Sequence, residues 1–302
     1  HLDYLVRLAL SLGVDFVTAI QMVTLNVAES FRMADEMGSL APGRVADINI
    51  VTGAADFKVL TTIARGQVVA RNGQTVKVTP SPEHDPILLN TFHLKAPVTA
   101  QDLVIAAPPG ATQAHVHVMR TLPWIPITEG AEADLAVKEG YIAADTVQDL
   151  LPIAVVERHH ATGNIGKAFI GGFGLKRGAI ASSIAHDNHN IVVMGVSPED
   201  MAVATNAVAE MQGGVVVVDS GEVIASIPLP LVGLLSDLDA WSFARARKEV
   251  LAKAQAMGCA VPEPFMFLSF ITLAAIPAYA ITDRGYIDCM KQAIIDPVLS
   301  WS

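Results

Sequence analysis

The chain predicts an α+β fold, and three observations predict it. Apolar residues recur at helical spacing in the first forty positions. Alternating or continuous apolar runs take over from Leu40. Strand, helix, hairpin and helix then follow in mixed order, without the regular strand–helix alternation of a parallel array. At 302 residues, with 52% hydrophobic and 17% charged side chains, the chain is long enough for two domains and a sizeable core. The formal charge of −10 argues against nucleic acid or an anionic membrane as a partner, and 6% aromatics are too few for a base-stacking surface. Two cysteines, Cys259 and Cys289, fit a reducing, cytoplasmic setting better than a disulfide framework. No apolar run reaches the ~18 residues of a membrane helix, and none reads as a signal peptide. Phe265 to Ile281 comes closest, interrupted by Ser269, Thr272 and Pro277.

Leu2, Leu5, Val6, Ala9 and Leu10 predict a first helix that Gly13 closes. Asp15 starts a second, from Phe16 to about Thr24, with Ile20 and Val23 facing inward. Asn26 is the expected N-cap of a third, with Glu29 at the capping-box position, and Gly38 ends the helical region. Ala46 to Val51, Val59 to Ile63 and Gln67 to Ala70 read as strands, and Arg71-Asn-Gly-Gln74 as a hairpin turn. Pro80 to Pro86 reads as a surface connection. Leu103 to Ala106 and His115 to Met119 continue the β character, and Pro123-Trp-Ile-Pro-Ile-Thr128 marks passage into a second domain. Ile153 to Glu157 is a strand candidate, followed by the glycine-rich Gly163 to Gly174. Ser197-Pro-Glu-Asp opens a helix that runs to about Gln212 and stops at Gly213-Gly214. Val215 to Ala225 forms a hairpin. Ser236-Asp237 is the expected N-cap of the next helix, Trp241 to Met257, with Gly258 as its C′ residue.

The densest chemistry lies between Ala179 and Asn190. Ser182, Ser183, His186, Asp187, Asn188, His189 and Asn190 form a polar knot between two apolar runs, the signature of a loop at a sheet end. His186, Asp187 and His189 offer two imidazoles and a carboxylate, ordinary ligands for a divalent metal. The same groups also suit a loop that satisfies its own backbone. His115 and His117 share one strand face and make a second candidate ligand pair. The proline-bearing segment that follows favours an ordinary strand face instead. Glu157-Arg-His-His160 is a further polar cluster, in which Arg158 could clamp a carboxylate or phosphate, or serve as part of a salt-bridged strand end. Gly171-Gly-Phe-Gly174, with Lys176 and Arg177, lacks the spacing of a phosphate loop and reads as a sharp turn.

Two stretches carry a family resemblance. Gly38-Ser-Leu-Ala-Pro-Gly-Arg-Val-Ala-Asp-Ile-Asn-Ile-Val, with Thr24-Leu-Asn-Val-Ala-Glu before it, resembles the point where amidohydrolase-superfamily enzymes leave their β/α barrel for a flanking β-sandwich. More specifically, several blocks are similar, in order, to the C-terminal domain of the adenine deaminase family. They are Glu157-Arg-His-His-Ala-Thr-Gly-Asn, Gly172-Phe-Gly-Leu-Lys-Arg-Gly-Ala, Ala181-Ser-Ser-Ile-Ala-His-Asp-Asn-His-Asn, Glu210-Met-Gln-Gly-Gly, Pro228-Leu-Pro-Leu-Val-Gly-Leu-Leu-Ser-Asp, Pro264-Phe-Met-Phe-Leu-Ser-Phe and Thr282-Asp-Arg-Gly.

The resemblance implies the tail helices of a β/α barrel at 1–38, part of a β-sandwich at 39–122 and a mixed α+β layered domain at 123–302. It implies hydrolytic deamination of adenine to hypoxanthine and ammonia, in purine salvage, by a cytoplasmic homodimer or other homo-oligomer. The implied cofactor is a divalent metal (manganese, iron or zinc) that activates water, while a carboxylate moves protons. The family's principal metal ligands are expected before His1, in a barrel this chain would need, so the chain reads as the C-terminal part of a longer protein. His186, Asp187 and His189 would then hold an accessory metal or line the purine entrance, with Ser183, Arg158 and His159 lining the site. The contrasting expectations are a stand-alone binding or assembly module that has lost catalysis, and an unrelated metal hydrolase built on His115 and His117.

Overall fold

The computed structural model describes residues 1–76, 83–122, 125–276 and 278–302. Part of the expected connection at Pro80 to Pro86, and Pro123, Trp124 and Pro277, lie outside them. The chain forms two compact units, His1–Glu83 and His84–Ser302.

The first unit starts with α1 (Leu2–Ser11), α2 (Phe16–Val23) and α3 (Leu25–Ser30). The Asp15 carboxylate caps α2 by accepting from the Thr18 N–H at 3.2 Å. Thr24, not the expected Asn26, occupies the N-cap of α3, and its hydroxyl is turned back to the Ile20 carbonyl at 2.6 Å. An antiparallel meander follows, β1 (Ile48–Val51), β2 (Val59–Ala64), β3 (Gln67–Arg71) and β4 (Gln74–Thr75). Asn72 and Gly73 turn the last hairpin with φ of 48° and 76°, the left-handed pair that a two-residue turn requires. Val6, Ala19 and Phe57 form a small core.

The second unit begins with a 3₁₀ turn at Pro86–Leu88 and α4 (Ala100–Leu103). Of the expected strand from Leu103 to Ala106, only Leu103 is helical, as the last residue of α4, and Val104 and Ile105 lie in no strand. The Asp102 carboxylate accepts from the Thr99 N–H at 2.8 Å and closes a capping box, which wins over the apolar run. Ala106 makes a single bridge to Tyr141.

Next come β5 (Gln113–Leu122), β6 (Ile125–Lys138), β7 (Tyr141–Ile142), β8 (Leu150–Val156), β9 (Ile165–Gly171), β10 (Ala179–Ser182) and β11 (Ile191–Gly195). Then follow α5 (Pro198–Glu210), β12 (Gly214–Asp219), β13 (Glu222–Pro228), α6 (Ala240–Ala256) and α7 (Pro264–Ile271). The chain ends with β14 (Tyr279–Thr282), β15 (Gly285–Asp288), β16 (Ala293–Ile295) and β17 (Val298–Trp301). The expected boundary at 122/123 runs through a hairpin, because β5 and β6 pair from Gln113↔Ala136 to Leu122↔Ile125. The break between the compact units falls earlier in the chain, at Glu83/His84.

One sheet runs β13-β12-β10-β11-β8-β9-β5-β6-β7, with β17 also on β5. Its pairings are antiparallel except β5 with β9. Both faces of its centre are buried, so its strands read as unbroken apolar runs rather than alternating ones. Alternation survives as a division between cores. Ile180, Val192, Met194, Val215 and Val217 pack on the side of α6 and α7, while Ala179, Ala181, Val193, Val216 and Val218 pack against Met201, Ala204 and Val208 of α5. Small residues bring α5 close: a Cβ on Gly195 would come within 2.6 Å of Ala179 and 2.8 Å of Met201.

The longer helix α6 is capped by Asp239, which accepts from the Trp241 and Ser242 N–H groups at 2.9 and 3.0 Å. Ser236 reaches only Leu238, so the expected cap lies three residues too early. Gly258 ends the helix with φ of 101°, as expected.

Ile153, 1% exposed, sits in the larger core. Ile153→Ala should lower the stability of the chain by about 2–5 kcal/mol in urea unfolding. Val147, 93% exposed, should change it by less than about 0.5 kcal/mol when replaced by Ala.

Candidate functional site

Antiparallel pairing carries several loops to one end of the sheet. β8 ends there at Val156 and β9 starts at Ile165; β10 ends at Ser182 and β11 starts at Ile191; β12 starts at Gly214 and β13 ends at Pro228. The segments 157–164, 183–190, 211–213 and 229–235 therefore converge, and most of the motif blocks singled out in the sequence lie in them.

Arg158 ties them together. It is 2% exposed, and its guanidinium lies 4.2 Å over the Phe92 ring. Its Nε donates to the His189 carbonyl at 2.7 Å, Nη1 to the Thr91 carbonyl and hydroxyl at 3.1 Å each, and Nη2 to the Val232 carbonyl at 3.0 Å. Burial lowers its pKa to about 10 against the pull of Glu157, so it stays charged at neutral pH. The expected anion clamp is instead a fastener for three loops, because its donors point at backbone carbonyls.

Glu157 fastens its own loop. Burial alone would raise its carboxyl. The N–H of Thr162, the N–H of His160, the Thr162 hydroxyl and the N–H of His159 outweigh that and hold it at about 2. The expected salt bridge at this strand end is thus a carboxylate ringed by donors.

Ser183, fully buried, is spent as well. Its hydroxyl donates to the Gly233 carbonyl at 2.6 Å and accepts from the Gly214 N–H at 2.9 Å, so its expected place lining a site is taken up by backbone partners. Ser182 accepts from the Ile184 N–H at 3.0 Å. Asn190 accepts from the Arg158 N–H at 3.2 Å and donates to Asp283 at 3.1 Å. Gly213 and Gly233 let two backbones cross: a Cβ on Gly213 would meet the Gly233 Cα at 2.4 Å, and one on Gly233 the Phe92 ring at 2.6 Å.

The histidines are held but not spent. His159 donates from Nε2 to the Asn188 carbonyl at 2.7 Å, and His160 is exposed beside it. His189 accepts at Nδ1 from the Ala185 N–H at 3.4 Å, which places its neutral-form hydrogen on Nε2. Burial lowers its pKa first, then the fields of His186, Arg158 and His159, with Asp187 opposing. The His186 ring lies 5.0 Å from Phe270 and meets His189 edge-on at 5.6 Å, while Asp187 is exposed. His186, Asp187 and His189 do not converge as the expected metal triad. Among the described residues no group of three or more His, Cys, Asp or Glu is placed to hold a metal ion.

The other histidine pair is divided. His115 faces Asp134 at 2.8 Å through Nδ1 and Glu132 at 3.2 Å through Nε2, carboxylates on opposite sides of the ring that raise its pKa. His117 packs against Tyr279 and Tyr286 at ring distances of 5.8 and 6.2 Å. The glycine turn is no phosphate cradle: the Gly172 and Gly174 N–H groups donate to the Asp149 carboxylate at 2.9 and 2.7 Å.

Phe270, Thr272 and Asp283 join the site without having been singled out as site residues. Thr272 donates to the His186 carbonyl at 2.7 Å. The blocks holding Phe270 and Asp283 were visible in sequence, but nothing local says which loop they meet.

Arg158→Lys keeps the charge but cannot reach three carbonyls at once. It should cost about 2 kcal/mol or more of stability, read by denaturant unfolding. Glu157 works through pH. Its folded pKa lies below its ordinary 4.5, so its contribution is complete above that value and fades as pH falls towards about 2. Wild type should lose about 3 kcal/mol over that window, and Glu157→Gln should lose none of it there.

Comparison with known proteins matches residues 126–293 to the adenine deaminase C-terminal domain and residues 2–69 to the amidohydrolase family. Adenine deaminase 4 of Rhizobium meliloti (strain 1021) is 40% identical over 299 residues, 99% of this chain and 50% of that protein. Adenine deaminase 1 of Carboxydothermus hydrogenoformans is 42% identical over 300 residues, 99% of this chain and 49% of that protein. Adenine deaminase 1 of Latilactobacillus sakei is 38% identical over 301 residues, again 99% and 50%. The chain spans about half the length of the curated relatives it matches. With the C-terminal domain profile covering more than half of its residues, and the loops that meet at the sheet end lying largely inside that match, the chain belongs to the adenine deaminase family.

Proposed function

We propose that this chain is the C-terminal half of an adenine deaminase, which hydrolyses adenine to hypoxanthine and ammonia. The observation that carries the reading is the joint match of nearly the whole chain to proteins named adenine deaminase, at 38–42% identity. The family is metal-dependent. A bound divalent ion lowers the pKa of its water enough to make a nucleophile at neutral pH.

The described residues of this chain do not fit that ion, since no group of three or more suitable side chains converges. The metal ligands then belong to the part of the relatives that this chain does not match. Leu2 and Leu5 in α1, with Leu12 and Phe31 just past the ends of α1 and α3, are each at least half exposed and support completion of the first unit by further chain. The residues of the polar sheet end position and cover rather than perform the hydrolysis.

The same missing metal cluster favours a second reading, a binding or assembly module without catalysis. Supplying the N-terminal half of a matched relative, fused or co-expressed, separates the two. Ammonia release from adenine should appear only with both halves and a divalent metal. It should vanish with chelator and return selectively with manganese, iron or zinc. Adenine left intact by a folded, metal-loaded assembly would favour the module.

A further inference from the structure

The long sheet of the second unit forks. The parallel strands β5 and β9 pair at Met119↔Ile170 and Arg120↔Gly171. Nearer its start β5 pairs with β17 instead, from Val298↔Val116 to Trp301↔Ala114. A cleft of about 530 Å³ lies at the fork, between 165–167 of β9 and 295–297 before β17, with 104–106 and 285–286 also lining it. That volume is in the range of small-molecule sites. Packing fixes its walls, because Ile295, Ile165 and Ile105 each lean on a different hydrophobic core.

Lys167, opposite Ala154 in the middle of β9, lines this cleft and is only partly exposed. Lysine is seldom taken out of water without a partner. Its Nζ donates to the Val104 carbonyl at 2.8 Å, and among the described residues no carboxylate lies within ion-pair distance of it. Asp102 acts on it through its field alone, since that carboxylate is held by the Thr99 N–H and hydroxyl at 2.8 and 2.6 Å. An ammonium carries three N–H donors, so two remain.

We propose that this cleft binds a small monocarboxylate with an apolar body, its carboxylate on the Lys167 ammonium and its carbon skeleton against Ile105, Ile165 and Ile295. A carboxylate supplies the charge and the acceptors that the two remaining donors lack. The isoleucine walls reward an apolar body and give nothing to a second polar group. Asp296 in the same lining, and the chain's net charge of −10, disfavour a dianion such as phosphate. Burial lowers the Lys167 pKa, and an anion beside the ammonium offsets that penalty. The assignment does not depend on the adenine deaminase reading.

Hexanoate titrated into the 302-residue chain tests this, followed through isoleucine methyl resonances. Ile105→Val, Ile165→Val and Ile295→Val each delete one signal and so identify it. Saturable shifts of these three are expected, with acetate and inorganic phosphate both binding more weakly than hexanoate. Lys167→Met should weaken hexanoate binding about tenfold or more. Asp296→Asn should strengthen it, while the amide oxygen still accepts from the Val298 N–H as the carboxylate does at 2.8 Å. If Lys167→Met fails to fold, the Asp296→Asn arm decides alone, and unchanged or weaker binding there counts against the assignment. No saturation up to the solubility of hexanoate, or shifts confined to other isoleucines, would overturn it. So would acetate or phosphate binding as tightly as hexanoate, or a folded Lys167→Met chain binding as well as wild type.

Discussion

A guanidinium taken out of water costs several kcal/mol unless its N–H groups find acceptors, and an acceptor set built from backbone carbonyls fixes the chain that carries them. Arg158 imposes that constraint on the second unit. Its partners are the carbonyls of Thr91, His189 and Val232, which lie far apart in sequence, with Phe92 beneath the charged plane. Three loops must stand in one arrangement for the charge to be tolerated. Two further features follow from the same crowding: glycine at 213 and 233, where no Cβ fits, and a Ser183 hydroxyl that closes the gap between them.

The sheet beneath makes this possible. Its central strands are buried on both faces, so their loops cannot drift without moving two cores. A rigid floor with short polar loops at one end is the arrangement in which side chains keep a fixed direction without help from a ligand. His186 and His189 inherit their positions from that floor. Arg158, Ser269 and Thr272 hold their main chain, and the Ala185 N–H holds the His189 ring.

Much of this was legible in the sequence, and the limits have physical causes. Ser197-Pro-Glu-Asp announced its helix because capping is local chemistry, and Asn72-Gly73 announced its turn because few residues accept that backbone. The polar loop at 183–190 stood out for the same reason. Leu103 to Ala106 misled because a four-residue apolar run cannot say whether it pairs as a strand; here a capped helix takes its first residue and a single bridge its last. The division at 122/123 misled because it falls within a pair of strands hydrogen-bonded to each other, and local composition at Pro123-Trp-Ile-Pro-Ile-Thr128 carries no record of that pairing. Arg158, Ser183 and the metal triad were the hardest to read. Whether a side chain faces a ligand or a carbonyl fifty residues away depends on pairings that sequence spacing does not carry.

Family membership and site geometry then divide the labour. The match to the C-terminal domain says which family the loops belong to, while the packing says which of their groups are already bonded. In this account the described residues of the unit supply a rigid, internally satisfied sheet end and no metal-holding cluster. The most direct measurement is a crystal structure of the completed, metal-loaded protein with a non-hydrolysable adenine analogue. The account predicts a metal held by residues outside this chain, with Arg158 still donating to the Thr91, His189 and Val232 carbonyls. A metal bound by His186, Asp187 and His189, or an Arg158 guanidinium turned onto the analogue, would contradict it.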